Sequence, residues 1–198
     1  MQFFNRKRTL KAKINQIMSI EGQITKAEAE KLFELAGMTG AGKVIIEIGS
    51  YRGRSTAALA LGSLSGNKNL VYAVDPHAEF VGVLGGEFGP ADRAALYKNL
   101  TKIGVGHVVA VVSLSSEQAA RCWMKKNIGL LWLDGDHSYE GVRSDYEVWI
   151  PFLADDGIIA FHDSQVAGVR QLIDELIAQN SIKLIGEIES LSWFRKGR

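Results

Sequence analysis

The sequence predicts an α/β protein: a doubly wound, mostly parallel seven-stranded sheet with a terminal antiparallel strand and helices on both faces. Three observations predict it. Short β-branched apolar runs alternate with segments of helical periodicity through five rounds, and strands alternating with helices pair in parallel under helical layers. Two further strand-like runs close the chain across the short turn Glu189-Ser190, so an antiparallel strand enters at one edge. With 198 residues, 46% of them apolar, the chain has enough material for one compact domain with a sizeable core.

Each element has its own signal. Residues 10–20 and 26–36 carry helical apolar spacing; Thr25 with Glu28 forms a capping box, and Gly37 reads as a stop. These two helices form an N-terminal extension, residues 1–39, ahead of a domain spanning 40–198. The first core strand, 44–48, is short and β-branched, as a strand buried on both faces should be. Helix 54–64 and strand 70–74 follow. Segment 78–89 contains Gly82, Gly85, Gly86 and Gly89 with little periodicity and reads as a long mobile loop. Pro90 starts a helix to about residue 102. Strand 108–112 precedes a helix capped by Ser115 and Gln118 that runs to about 126. Strand 128–133, helix 140–149, strand 158–162, helix 166–179 and strands 183–188 and 191–196 complete the order.

Composition excludes several function classes. A net charge of +1 argues against a polyanion-binding surface, and so against nucleic acid as a partner. The local basic run Arg6, Lys7, Arg8, Lys11 and Lys13 reads as a solvated, frayed arm. No apolar stretch approaches the roughly 20 residues of a membrane span, and charges interrupt the N-terminus too early for a signal peptide. A single cysteine, Cys122, permits no intrachain disulfide and fits a reducing cytoplasm. Its place in the predicted helix suggests a small buried side chain. The apolar faces of the N-terminal helices leave a homodimer open.

Two groups of residues carry chemistry. The first is the turn from Glu47 to Thr56, where Gly49 permits a sharp bend and Gly53 lets the helix start approach a ligand. A dinucleotide fingerprint needs a middle glycine, and Tyr51 stands in its place, which disfavours NAD. Asp75 ends the second strand, 26 residues after Gly49, where an acid can accept hydrogen bonds from a ribose diol. The plain alternatives are a structural turn and an Asp-Pro loop start. The second group is Asp134-Gly135-Asp136-His137-Ser138-Tyr139 with His162-Asp163, at the ends of two apolar runs. Such side chains form poor cores and good metal ligands or proton acceptors. Neighbouring strands lie about 4.8 Å apart, which brings Asp134 and the His162-Asp163 pair within reach of one cation. Here too a plainer reading stands: a capped turn into helix 140–149, with Asp136 or Ser138 as the cap.

The segment 47–56, with Asp75 and the terminal strand pair, resembles the class I S-adenosylmethionine (SAM)-dependent methyltransferases, over about residues 40–196. The resemblance implies a Rossmann-like fold in which Gly49, Ser50 and Gly53 line the methionine end of SAM. It further implies that Glu47 lies beneath, Asp75 binds the ribose and Ser115 lies near adenine. Residues 133–139 with 161–164 are similar to the small metal-assisted O-methyltransferases, of the catechol type and of the type that tailors macrolide- and cephalosporin-like products. That similarity implies Asp134, His162 and Asp163 as ligands of a divalent cation, Mg²⁺ or Mn²⁺, with Asp134 serving the reaction as well. It places His137 as the base that takes a hydroxyl proton. His162 departs from the pattern, which supplies an oxygen ligand there, and an imidazole suits Mn²⁺, Fe²⁺ or Zn²⁺ better than Mg²⁺. The implied reaction is methyl transfer to a hydroxyl oxygen of a small-molecule acceptor. The alternatives are an NAD-type oxidoreductase and a non-catalytic SAM-fold binding module.

Overall fold

The computed structural model describes the backbone of residues 2–125 and 127–197, and the side chains from Leu10 onward within that range. The N-terminal segment forms α1 (Gln2–Met18) and α2 (Lys26–Met38). The alternating core follows as β1 (Val44–Ile48), α3 (Arg54–Ser65), β2 (Val71–Val74), β3 (Phe80–Val81), β4 (Glu87–Phe88), α4 (Pro90–Ile103), β5 (Val109–Val112) and α5 (Ser116–Arg121). It ends with β6 (Ile128–Leu133), α6 (Tyr139–Trp149), β7 (Leu153–Phe161), α7 (Ala167–Ala178), β8 (Ile182–Ile188) and β9 (Leu191–Lys196).

Seven strands form one sheet in the order β5-β2-β1-β6-β7-β9-β8. The first five pair in parallel; β9 runs antiparallel to both β7 and β8, so the closing hairpin inserts its last strand inside the edge. The chain winds from β1 out to β5 and then crosses back to β6 on the other side of β1. Ligands of doubly wound sheets bind in the crevice that opens at such a reversal.

Alternation along the strands divides the core into two layers. Ile45, Leu130, Trp132 and Ala160 face α1–α4, together with Ile14, Ile17, Leu32, Leu59 and Leu96. Ile46, Ile48, Leu131, Leu133, Ile159 and Phe161 face α5–α7, with Val142, Trp149 and Leu172. By the same parity Glu47 and His162 fall on the α1–α4 side. Ile14 and Ile17 of α1 and Leu32 and Leu35 of α2 are buried within the chain, in the same cluster as β1 and α3.

Several boundaries differ from the sequence expectation for physical reasons. The backbone of α1 is helical from Gln2, through the basic run expected to fray; the side chains of Arg6, Lys7 and Arg8 lie outside the described residues. Gly37 does not stop α2. It lies in the crossing of α2 and α3, where a Cβ added to Gly66 would meet the Gly37 carbonyl oxygen at 2.1 Å, and Thr39 ends the helix instead by donating from Oγ1 to Leu35 O at 3.1 Å. Helix α5 stops at Arg121 rather than near 126, leaving Cys122 exposed at its end. There the Trp123 ring turns away to pack edge-on against Tyr72 and Trp149, while residue 126 lies outside the described residues. The 78–89 loop contains the small antiparallel hairpin β3–β4, pairing Phe80 with Phe88. Strand β7 begins at Leu153, five residues early, because Leu153 pairs with Ile128 before a bulge resets the register at Ile158.

Candidate active site

The crevice is built by the ends of β1, β2 and β6 and the segment that follows β5. Gly49 follows β1 with φ of +83°, and a Cβ there would lie 2.2 Å from the Asp134 carbonyl oxygen, so only glycine lets this turn lie against the end of β6. Tyr51, His77 and Asp163 also have positive φ, 45°, 48° and 48°. Non-glycine residues in this conformation are sparsely populated and cluster where a site holds them. The chain thus bends sharply at the ends of β1, β2 and β7.

Asp75 holds the glycine turn in shape. Its Oδ2 accepts from the backbone N–H groups of Ser50 (2.9 Å) and Tyr51 (3.0 Å), and Oδ1 accepts from His77 N at 2.7 Å. Ser50 Oγ also donates to Oδ2, at 3.5 Å, whereas Oδ1 accepts from His77 N alone and so keeps a lone pair for a ligand hydroxyl. His77 locks the same corner, with Nε2 3.1 Å from Tyr51 O. Gly49, Ser50, Asp75 and Ser115 all line a cavity of about 420 Å³ that also reaches Asp134, Asp136 and His137. Glu47 and Gly53 lie behind the lining. Gly53, φ +90°, packs on Leu96. Glu47 is fully buried and accepts from Thr56 Oγ1 at 2.5 Å; burial pushes its carboxyl up to about 8, against the hydroxyl partners Ser55 and Thr56. Ser115 caps α5, accepting from Gln118 N at 3.2 Å.

The second group converges as the strand order requires. His162 Nδ1 lies 2.9 Å from Asp134 Oδ1 and 3.4 Å from Asp163 Oδ2. His137 Nε2 lies 3.5 Å from Asp134 Oδ1 and 3.4 Å from Asp163 Oδ2. On its other edge, His162 Nε2 faces Glu28 Oε2 at 3.5 Å, an ion-pair distance rather than an aligned hydrogen bond. Burial works against charge on His162, yet Asp134, Asp163 and Glu28 push its pKa up to about 12. The same imidazolium, with His137, holds Asp134 below the usual carboxylate range despite burial. His137 is raised above its ordinary value, burial being outweighed by Asp134 and Asp163.

Those residues fit a divalent cation. His162 Nδ1 lies 2.9 Å from Asp134 Oδ1 and 3.4 Å from Asp163 Oδ2, a donor set for one ion, while the buried Nε2 of His137, within 4.8 Å of the Asp134 and His162 donors, has no hydrogen-bond partner among the described residues and is left for a different task. Donors roughly 2.1 Å from one ion lie about 3.0–3.4 Å apart, close to the separations found. A mixed imidazole–carboxylate set suits a borderline transition ion better than Mg²⁺.

Neighbouring residues have plainer tasks. Asp136 accepts from Ser138 N and Oγ, both at 2.9 Å, and Ser138 caps α6. Tyr139 donates to Glu175 at 2.7 Å and so ties α6 to α7. Sequence reasoning missed three contributors. Asp145 is buried, lines the cavity and is pushed up to about 7, chiefly by burial; its acid side chain on the apolar Val142–Tyr146–Trp149 face of α6 was the available signal. Gly22, Gln23 and Ile24 bring the α1–α2 connection into the wall, where Arg54 donates to Ile20 O at 2.7 Å and Ile24 O at 2.8 Å. Glu28 read only as a helix cap, and nothing local announced its distant partner.

A doubly wound sheet with a crevice at its reversal, flanked by a glycine turn, an acid after the second strand and an acid–imidazole cluster, is the architecture of a ligand-binding α/β domain. The chain belongs to the Methyltransferase domain family, whose model matches residues 46–164. One curated relative, the uncharacterized protein y4gI of Sinorhizobium fredii, is 41% identical over 56 residues, a stretch covering 26% of this chain and 6% of that protein. Among solved structures, a Corynebacterium glutamicum protein superposes with a TM-score of 0.72 at 10% identity, covering 100% of this chain and 98% of its own. An O-methyltransferase from Bacillus cereus, solved in complex with SAH, gives 0.69 at 14% identity, covering 93% and 91%. At these identities the likeness is one of fold. Family membership sets aside the NAD-type oxidoreductase alternative.

Proposed function

We propose that this protein transfers a methyl group from SAM to a hydroxyl oxygen of a small molecule, with a divalent cation assisting. The observation that carries it is the joining of two half-sites along one cavity: the Gly49–Asp75 corner and the Asp134–His137 pair, which His162 and Asp163 contact from outside the lining, meet where Gly49 packs on Asp134. The Bacillus cereus structure, an O-methyltransferase holding SAH on the same fold, supports the choice of ligand and of acceptor atom.

In this reading Ser50, Asp75 and the glycine turn bind and orient the donor, and Ser115 faces the cavity at the β5 end. When bound, SAM supplies an electrophilic methyl group on its sulfonium, and a cation lowers the pKa of a hydroxyl nearby. Asp134, His162 and Asp163 would hold that cation. His137 Nε2 takes the acceptor's O–H proton; the O–CH₃ bond forms as the S–CH₃ bond breaks, leaving S-adenosylhomocysteine. The aromatic hairpin β3–β4, with Phe80 and Phe88 in the cavity wall, shields that space from water.

Calorimetry with S-adenosylhomocysteine tests the donor assignment. Binding by the wild-type chain and its loss in Asp75→Ala are expected; no binding by the wild type refutes the reading. A chain that binds the product yet methylates no hydroxylated acceptor, and loses nothing in His137→Ala, is instead a binding module.

A further inference from the structure

We infer that Glu28, from the N-terminal helical segment, is a positioning residue for the cation site: it orients His162 so that Nε2 carries the ring proton and Nδ1 presents a lone pair between Asp134 and Asp163. This rests on the cation reading proposed above and names a residue outside the cluster that the reading requires.

The geometry is that of a histidine held between two partners of different kinds. Its Nδ1 edge faces the site, 2.9 Å from Asp134 Oδ1 and 3.4 Å from Asp163 Oδ2. Its Nε2 edge faces away, towards Glu28 Oε2 at 3.5 Å. A histidine that ligates a metal through one nitrogen donates the other N–H to a carboxylate or carbonyl, which fixes tautomer and ring orientation. Among the described residues Glu28 is the carboxylate found at that edge.

Glu28 is itself rigidly placed, which an orienting group must be. It has no exposed surface. Oε2 accepts from Thr25 N at 2.8 Å, closing the capping box of α2. Oε1 accepts from Ser190 N at 2.9 Å and from Ser190 Oγ, in the turn between β8 and β9. Strand parity explains why His162 reaches Glu28. His162 follows Phe161 and faces the α1–α4 layer, where α2 lies.

Glu28→Gln is the discriminating change. The amide keeps the shape and can still accept from Thr25 or Ser190, but its NH₂ can donate to Nε2 and so favours the opposite tautomer, which leaves Nδ1 without a lone pair. Mn²⁺ alone, titrated calorimetrically into the full chain, should bind 10- to 100-fold more weakly to Glu28→Gln than to wild type, with S-adenosylhomocysteine affinity unchanged. Ser190→Ala, which removes a structural partner of Glu28, should leave Mn²⁺ affinity within about twofold. Nitrogen-15 spectra of the Zn²⁺-loaded wild-type protein should show the His162 proton on Nε2, a readout that does not depend on any variant folding. Equal Mn²⁺ affinity in wild type and Glu28→Gln, an equal loss in Ser190→Ala, or a proton on Nδ1 overturns the inference while leaving the cation reading in place. Failure of wild type to bind Mn²⁺, or Asp163→Asn binding it as tightly, overturns both.

Discussion

Glu28 on α2 and His162 after β7 face one another across a fully buried contact, Oε2 to Nε2 at 3.5 Å. The N-terminal segment therefore reaches the acid–imidazole cluster beside the cavity. Gly22, Gln23 and Ile24 line the same cavity, pinned by Arg54. Changes in this segment should alter the site as well as stability.

Gly49→Ala should destabilise the fold. The added Cβ would lie 2.2 Å from Asp134 O on a backbone with φ of +83°. Left-handed strain of about 1–3 kcal/mol and overpacking of about 1–3 kcal/mol should together lower the urea midpoint clearly. A wild-type midpoint would show that the two turns can separate without cost.

Asp75→Asn should weaken S-adenosylhomocysteine binding at least tenfold. The amide keeps an acceptor oxygen but introduces donors facing the N–H groups of Ser50 and Tyr51, which Asp75 Oδ2 now satisfies. Hydrogen bonds to a charged group contribute about 1.5–3 kcal/mol. Calorimetry measures the loss, and unchanged affinity would remove Asp75 from the donor site.

Glu47 sets a pH dependence of stability. Its folded pKa, about 8, lies above the ordinary carboxyl value, so the folded state binds the proton more tightly. That contribution is complete below the unfolded pKa and is lost as pH rises through about 8. Asp145, raised to about 7, acts in the same direction. Glu47→Gln should therefore lose less melting temperature than wild type between pH 5 and pH 8.5 in thermal scans. Parallel curves for the two proteins would contradict the assignment.

His137→Ala should lower kcat by about 10²- to 10⁴-fold, the usual range for a lost general base, while leaving S-adenosylhomocysteine affinity near wild type. Single-turnover methylation of a hydroxylated acceptor measures the effect. A change confined to KM would make His137 an acceptor contact instead.

Much of this was readable along the chain. The five β–α rounds and the closing strand pair appear because strand burial and helical periodicity are local patterns; β1 and β6 fell where the apolar runs lie. The Thr25–Glu28 box and the Ser115 cap were legible for the same reason. Gly37 misled, since a glycine that permits close helix crossing looks identical in sequence to one that ends a helix. The end of α5 was hidden because Trp123 is drawn off by Tyr72 and Trp149, partners far along the chain.

The sequence by itself determined the order of elements and the residue types gathered at the strand ends, because side chains of that chemistry at the close of apolar runs have few other uses. Only the tertiary structure decided how they face one another. Sheet order set β1 beside β6 and β6 beside β7, and strand parity turned His162 towards α2. The packing of α2 on that layer then placed the Glu28 carboxylate behind the ring. Such through-space relations are set by layer geometry, which no local pattern encodes.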